Sequence, residues 1–253
     1  MNWPAEAVWE AVVPLLPGFT VEVLPEVDST NSELMRRARA GQLEPVLLVA
    51  EHQKAGRGRL GRTWASRPGE SLTFSLGLTL APQDWSGLSL AVGVSLAEAL
   101  HPQVQLKWPN DLWLQDRKLG GILIETASFG EGSSAGRYAV IGIGINVAPQ
   151  DAAGLSTPPA ALQDLLPRAS APDVLLRIMT PLVQSVQAFG QFGFAPFQAR
   201  FNARDALRDR EVILSDGTSG TAHGASESGA LLVHTARGMN TVTSSEVSVR
   251  PVR

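Results

Sequence analysis

A dense run of cations and glycines occupies residues 54–62, which read Lys-Ala-Gly-Arg-Gly-Arg-Leu-Gly-Arg. Arginine and lysine bind phosphate and carboxylate oxygens, and glycines let the backbone close tightly around a ligand. The run therefore predicts a flexible loop for a polyanionic ligand. Its spacing alone leaves open a solvated basic loop or an arginine-glycine segment that contacts RNA.

Residues 56–61 also match the G-x-G-x-x-G pattern of dinucleotide-binding folds, and they follow a predicted strand. That motif must open a helix, because the helix N-terminus holds the pyrophosphate. The segment that follows leads into Pro68-Gly69, which cannot propagate a helix. The chain has no Gly-Lys pair, so the P-loop pattern is missing as well. The sequence favours a loop over a dinucleotide fold.

Two further segments combine polar residues with glycine. Residues 107–112 read Lys-Trp-Pro-Asn-Asp-Leu, and residues 117–123 read Arg-Lys-Leu-Gly-Gly-Ile-Leu. Lys118 enters an otherwise apolar strand beside two glycines, which permit a ligand to approach the backbone closely. The alternatives are a simple turn at Asn110-Asp111 and the exposed end of a hairpin at Lys118.

Two other polar or aromatic positions are weaker signals. Trp64 follows the basic run directly and offers a stacking surface for a purine, although a tryptophan is more often a core residue. Residues 142–146 read Gly-Ile-Gly-Ile-Asn. The two glycines leave one side of this predicted strand without side chains, and the strand ends on the amide of Asn146.

The composition bounds the class of protein. The 253 residues are 44% hydrophobic and 18% charged, which suits one large domain and a small one. A net charge of -3 gives no bulk attraction to nucleic acid or to an anionic membrane. Zero cysteines exclude thiol catalysis, disulfides and thiolate metal sites. Because the chain has no basic-headed signal segment and no apolar stretch of about 18 residues, we expect a cytoplasmic protein.

Strands outnumber helices over the first 150 residues and follow one another mostly in hairpin order, which predicts an α+β fold with a mixed, largely antiparallel sheet covered by helices. Thr30 and Glu33 stand at capping-box spacing before the second helix. Helices are predicted over residues 5–16, 30–40 and 87–100, the last of them amphipathic. Strands are predicted over residues 19–27, 46–51, 72–80, 112–126 (two strands joined by a turn at 115–117) and 138–147.

The pattern of predicted helices and strands changes towards the C-terminal end of the chain. A short helix is predicted near residues 159–166, and Asp173 caps a longer one to about residue 189. Short strands with turns between them follow, over residues 211–214, 221–225, 230–234 and 246–249. We therefore predict a large domain over residues 1–206, which carries the polar motifs, and a small β-barrel over residues 207–253.

Together these segments resemble the biotin protein ligase family, with matching order and spacing over about residues 21–253. The resemblance rests on Asp28-Ser-Thr-Asn, residues 53–64, residues 107–123 and residues 142–146. It implies a fold related to class II aminoacyl-tRNA synthetases, with an SH3-like C-terminal barrel. Some bacterial members also carry an N-terminal DNA-binding domain; the 27 residues before Asp28 are too few for one, so we expect no DNA binding.

The resemblance also implies the site residues. Around biotin it places Ser29, Thr30, Asn31, Gln53, Arg57, Gly58, Arg59 and Lys118. On the ATP or adenylate side it places Arg59, Arg62, Trp64, Lys118, Asn146 and Arg250. Lys118, Arg57 and Arg59 would carry the catalysis, Glu246 with Arg250 would lie at the barrel edge, and no metal-ligating residue is implied. One departure is Leu119-Gly120-Gly121, where the family has Leu-Ala-Gly.

The implied reaction activates biotin with ATP and Mg²⁺ to biotinyl-AMP and then transfers biotin to a lysine of a carrier. Because a carboxylate is already a nucleophile, the first step needs cations and positioning rather than a Ser-His-Asp set. The implied partner is the biotin carboxyl carrier protein of acetyl-CoA carboxylase, and a homodimer formed by pairing sheet edges occurs in some relatives. A lipoate ligase or octanoyltransferase shares the fold and is the alternative.

Overall fold

A computed structural model describes residues 1–128, 136–150, 159–243 and 249–251. Its largest element is a seven-stranded sheet with the strand order β1-β2-β3-β7-β6-β5-β4. Only β1 and β2 pair in parallel among the described strands of this sheet, which confirms the predicted mixed, largely antiparallel arrangement. The strands are β1 (Thr20–Val27), β2 (Val46–Gln53), β3 (Ser71–Leu80), β4 (Gln105–Lys107), β5 (Asp111–Leu114), β6 (Arg117–Ser128) and β7 (Arg137–Asn146).

Helices cover both faces of this sheet, but unequally. The main hydrophobic core joins α1, α3 and α4 to one face, where Leu47 of β2 and Phe74 of β3 are fully buried. On the other face α2 packs through Leu34 on Leu48 and Val140 in a second, smaller cluster. The helices are α1 (Ala5–Val12), α2 (Thr30–Arg39), α3 (Leu88–Leu100), α4 (Ala171–Phe192) and α5 (Gln198–Asn202).

Alternation along β3 and β7 gives the two faces different chemistry, because successive side chains of a strand point to opposite sides. In residues 71–78 of β3, the odd positions are Ser, Thr, Ser and Gly, while the even positions are Leu, Phe, Leu and Leu in the main core. In β7 the isoleucines at 141, 143 and 145 join the same core, whereas Gly142, Gly144 and Asn146 share the opposite face with α2. We call this second side the polar face of the sheet.

Several local predictions need correction. The N-cap of α2 is Ser29, whose Oγ accepts from Ser32 N, rather than the predicted Thr30–Glu33 capping box. Similarly, α4 begins earlier than predicted, with Ser170 in place of Asp173 as its N-cap. The helix predicted near residues 159–166 is only a 3₁₀ turn over Leu162–Asp164.

Helix α3 was predicted to be amphipathic, but in the structure it is not. Most of its residues are buried, because it lies between the sheet and α4. A helix that is apolar all round is typical of such an internal position. Among the described residues, no helix is long and apolar enough to cross a membrane.

The C-terminal part forms a five-stranded antiparallel sheet with the order β11-β10-β9-β8-β12, which agrees with the predicted small β-domain. Strand β11 was not predicted from the sequence. The predicted strand 246–249 lies mostly outside the described residues, as does Glu246. The strands are β8 (Glu211–Leu214), β9 (Ser219–Ala225), β10 (Leu231–Thr235), β11 (Gly238–Val242) and β12 (Val249–Pro251).

The two sheets meet at the Lys-Trp-Pro-Asn-Asp segment. Trp108 is fully buried, and its Nε1 donates to the carbonyl of Gly229 in the small sheet at 3.1 Å. Leu106 of β4 pairs through its backbone with the connecting segment, since its N–H donates to Arg204 O and its carbonyl accepts from Ala206 N–H. These contacts fix the second sheet beside the segment that precedes β5.

Candidate active site

The basic run folds into a short hairpin over residues 56–64, which we call the basic hairpin. Trp64 N donates to Gly56 O at 2.8 Å, and Gly58 N donates to Arg62 O at 2.7 Å. The tip is a 3₁₀ turn over Arg59–Gly61, and extended backbone follows at Arg62. The glycine motif thus opens no helix, as the sequence predicted, and it presents cations on a hairpin that lies over the polar face.

Trp64 packs against β7 at a point where the strand carries a glycine. A Cβ on Gly144 would stand 2.3 Å from Trp64 Cε2, which no side chain tolerates. The indole is only partly buried, while its Nε1 is buried without a hydrogen-bond partner among the described residues. The sequence left open whether Trp64 is a platform or a core residue; the structure puts it at the wall of the polar face.

Lys118 stands at the centre of the polar face. Its Nζ pairs with Asp111 Oδ1 at 2.7 Å and lies 5.8 Å from the centroid of the Trp64 ring. A Cβ on Gly121 would stand 3.4 Å from Lys118 Nζ, which is ordinary van der Waals contact, whereas a Cβ on Gly120 would stand 2.6 Å from Gly144 O of the neighbouring strand. Gly120 therefore serves the close approach of β6 and β7, and the approach of a ligand to the backbone beside Lys118 stays a prediction.

Further cations surround Asp111. Arg59 Nη1 donates to Asn110 Oδ1 at 3.4 Å, and burial holds the pKa of Arg59 below its usual value. Burial also lowers the pKa of Lys107. The nearby charge of Lys118 lowers this pKa further, whereas the carboxylate of Asp111 raises it. Several buried or half-buried cations around one carboxylate leave a positive potential, which favours an anionic ligand.

Arg62 and Arg250 extend this positive region to the rim. Both side chains are exposed, and both lie close enough to Lys107 to lower its pKa further. Arg250 belongs to β12, so the small sheet contributes a cation to the region predicted for ATP. Glu246, the other residue placed at that edge, is outside the described residues.

A buried polar network lines the end of the polar face next to α2. Gln53 Oε1 accepts from Thr30 N at 2.8 Å and from Thr30 Oγ1 at 3.2 Å. Ser75 Oγ lies 2.7 Å from Thr30 Oγ1 and 2.6 Å from Asn31 Oδ1. Together with Ser29, the α2 members of this network are at most 3% exposed. Three of the side chains assigned to the biotin head group, those of Thr30, Asn31 and Gln53, therefore form one prearranged network through Ser75. Ser29 is buried beside it, and its Oγ caps α2.

Arg57 reaches this cluster from the hairpin. It pairs with Glu125 of β6, with Nη2 3.1 Å from Oε1 and Nη1 3.3 Å from Oε2. Arg57 Nη1 also donates to Ser32 Oγ at 3.3 Å, while Asn31 Nδ2 donates to Glu125 Oε2 at 3.0 Å. One carboxylate thus joins the hairpin to the network under α2.

Asn146 is buried and acts as a brace in the structure. Its Nδ2 donates to Lys118 O at 3.2 Å and to Ala160 O at 3.0 Å, so it holds the strand that carries Lys118. Its adenylate role stays a prediction from the sequence.

The structure brings most of the predicted residues onto one side of one sheet. Asp111, Glu125 and Ser75 also belong to the site, although the sequence had not assigned them a role. Asp111 and Lys107 lay in a motif that had been singled out, which was a usable signal. Ser75 and Glu125 gave none, because their partners are 45 and 68 residues away in sequence.

Comparison with known proteins gives a consistent picture. The profile of the Biotin/lipoate A/B protein ligase family matches residues 23–146. The chain is 37% identical over 231 residues to the bifunctional ligase/repressor BirA of Escherichia coli K12, covering 86% of this chain and 70% of that protein. It is 32% identical over 243 residues to the biotin–[acetyl-CoA-carboxylase] ligase of Paracoccus denitrificans, covering 89% and 98% of the two chains.

Solved structures point the same way. The biotin protein ligase of Aquifex aeolicus in complex with biotin and ATP superposes with a TM-score of 0.77 at 30% identity. The alignment covers 92% of this chain and 99% of that one, so it includes both sheets.

Proposed function

The chain belongs to the biotin protein ligase family, and we propose on that basis that it activates biotin with ATP to biotinyl-5'-AMP and transfers the biotin to a lysine of a carrier domain. The observation that carries this proposal is the convergence of Lys118, Arg57 and Arg59 on one face of the sheet. The similar Aquifex enzyme was solved with biotin and ATP.

We assign the biotin head group to the cluster of Ser29, Thr30, Asn31 and Gln53. The head group carries a cyclic urea, which offers two N–H donors and a carbonyl acceptor, so it needs fixed polar partners of both kinds. Hydroxyl and amide side chains supply both, and their burial spares the ligand the entropic cost of ordering them. Gly58, on the hairpin, lets the backbone pass close to the ligand.

The first step joins a carboxylate oxygen of biotin to the α-phosphorus of ATP and breaks the bond from that phosphorus to the oxygen of the pyrophosphate leaving group. No proton has to be removed from the nucleophile. The barrier therefore depends on alignment and on neutralising charge at phosphorus. Lys118 is suited to this task, since Asp111 fixes its ammonium group, and Arg57 and Arg59 approach from the hairpin.

The ATP side takes the remaining residues. Trp64 offers its indole face to the adenine, while Arg62 and Arg250 lie at the cationic rim with Lys107, where the departing pyrophosphate would be stabilised. Asn146 contributes by holding the backbone of Lys118.

In the second step the amine of a carrier lysine attacks the carbonyl carbon of the mixed anhydride. The new amide bond forms as the bond from that carbon to the phosphate oxygen breaks, AMP leaves, and the amine loses a proton. The basic hairpin lies over the polar face and would shield the anhydride from water between the two steps.

Magnesium fits the site only as a companion of ATP. The described residues contain no group of three or more carboxylates or histidines that could hold a metal ion. Mg²⁺ is often held by one carboxylate together with substrate phosphates, and Asp111 is the carboxylate beside the cationic cluster. When bound, the ion would neutralise charge on the phosphates.

The names of the relatives suggest the partner, the biotin carboxyl carrier protein of acetyl-CoA carboxylase. We also propose a cytoplasmic location, no role for a membrane, and a domain boundary between residues 206 and 207. A homodimer is compatible with β1, which lies at the edge of the large sheet.

A lipoate ligase or octanoyltransferase is the second candidate, because the matching family profile includes such enzymes. The test incubates the protein with ATP-Mg²⁺ and a carrier domain, with biotin in one reaction and lipoate or octanoate in the others. We expect biotin to be transferred and the other acids to be transferred poorly or not at all. Transfer of lipoate or octanoate without biotin would assign the chain to the second candidate.

A further inference from the structure

Glu125 has no role in the proposed chemistry, yet it sits where two parts of the site meet. It lies on β6 opposite Val140 of β7, with a side chain that is 23% exposed. Both of its carboxylate oxygens face the guanidinium of Arg57, at 3.1 and 3.3 Å. This two-point contact fixes the plane of the guanidinium as well as its distance.

The carboxylate of Glu125 is itself held by a hydrogen bond from Asn31 of α2. Asn31 Nδ2 donates to Glu125 Oε2 at 3.0 Å and to Leu123 O at 3.2 Å. The amide oxygen of Asn31 lies 2.6 Å from Ser75 Oγ. A Cβ on Gly142 would stand only 2.1 Å from this amide oxygen. Asn31 is 3% exposed and tightly enclosed, so it cannot move without disturbing the network.

We propose that Glu125 is a positioning residue that holds Arg57 of the basic hairpin in a fixed position beside the buried polar network next to α2. The inference rests on the proposed function, because that function gives Arg57 a ligand, biotin, to bind. Without this ion pair, the Arg57 side chain would lose conformational freedom on binding biotin. Glu125 reduces that cost in advance.

The charge balance supports this assignment. Arg57 has no other ion-pair partner among the described residues. Its remaining contact, with Ser32 Oγ at 3.3 Å, is a weaker neutral hydrogen bond. Glu125 is therefore the contact that sets the orientation of Arg57.

The experiment compares Glu125→Gln with the control Glu22→Gln, which also breaks a part-exposed pair between a carboxylate and an arginine, here Arg37 on α2. We expect Glu125→Gln to raise the KM for biotin about fivefold and to lower kcat as well, since Arg57 is no longer held where it binds biotin and approaches the α-phosphorus. Glu22→Gln should leave both constants at the wild-type value.

A double-mutant cycle tests whether Glu125 acts through Arg57. In an Arg57→Gln background, adding Glu125→Gln should change the KM for biotin no further. Additive effects would overturn the proposal, because they would mean that Glu125 acts independently of Arg57. Loss of folding in Glu125→Gln, with the control folded, would also overturn it, because the carboxylate would then serve the core.

Limited trypsin digestion supplies a readout that needs no activity. Without added ligand, Glu125→Gln should be cut after Arg57 faster than the wild type, while the control is cut at the wild-type rate. Equal rates would count against the proposal. Because this readout is independent of biotin, an inactive wild type would refute the proposed function without deciding the role of Glu125.

Discussion

The two faces of the seven-stranded sheet use the same strands for different purposes. On one face, β3 and β7 present leucine, phenylalanine, isoleucine and alanine to the main core. On the other, the same strands present serine, threonine and glycine to α2 and the basic hairpin. The alternation of side chains thus separates residues that stabilise the protein from residues that form the site, and neighbouring positions on one strand should respond to mutation in different ways.

The largest effect should follow a change on the core face. Phe74→Ala removes a fully buried ring and should lower the free energy of unfolding by about 3–5 kcal/mol. Its neighbour Ser75 lies on the polar face, and Ser75→Ala should cost only about 1 kcal/mol while raising the KM for biotin. Urea unfolding and steady-state kinetics of both variants check this. Equal losses of stability would remove the distinction between the faces.

A tryptophan pair sharpens the same comparison. Trp64→Ala on the polar face should raise the KM for ATP about tenfold and the KM for biotin much less, because a stacking surface for adenine is lost. Trp9, which is 45% exposed on α1, is the control, and Trp9→Ala should leave both constants unchanged. If Trp64→Ala instead unfolds the protein, Trp64 is a core residue.

The smallest effect concerns Asp28, at the N-terminal end of α2. Hydrogen bonds from Arg36 hold the pKa of this carboxyl at about 2, below its value in the unfolded chain. A carboxyl with a lowered pKa stabilises the fold above the unfolded pKa, and this contribution is lost as the pH falls through about 2. Asp28→Asn should therefore lower the urea midpoint slightly at pH 6 and by less near pH 2, where the folded-state carboxyl is already partly protonated. A difference as large at pH 2 as at pH 6 would show that the ion pair is not its cause.

Local patterns in the sequence predicted much of this arrangement. Pro68-Gly69 excluded a helix after the glycine motif, and the strands predicted over residues 72–80 and 138–147 are those that carry the site. Helix α3 was misjudged because its packing between the sheet and α4 is a tertiary property. Strand β4 has only three residues, too few for a periodic signal.

Long-range contacts were out of reach for the same reason. The pairing of Glu125 with Arg57 spans 68 residues, and neither residue type reveals the other. The brace formed by Asn146 joins two backbone segments that meet only in the folded chain. Motifs located the side chains that approach the ligand, while the residues that hold them required the structure.

Lys118 carries the central claim that the polar face activates biotin, and biotin-dependent exchange of labelled pyrophosphate into ATP tests it most directly. The wild type should catalyse this exchange only when biotin is present. Lys118→Gln should be slower by about a hundredfold with an unchanged unfolding midpoint, because one cation at the α-phosphate is lost. Lys54→Gln, which removes an exposed lysine paired with Glu26, should exchange at the wild-type rate. Near-normal exchange by Lys118→Gln, or no biotin-dependent exchange by the wild type, would contradict the account.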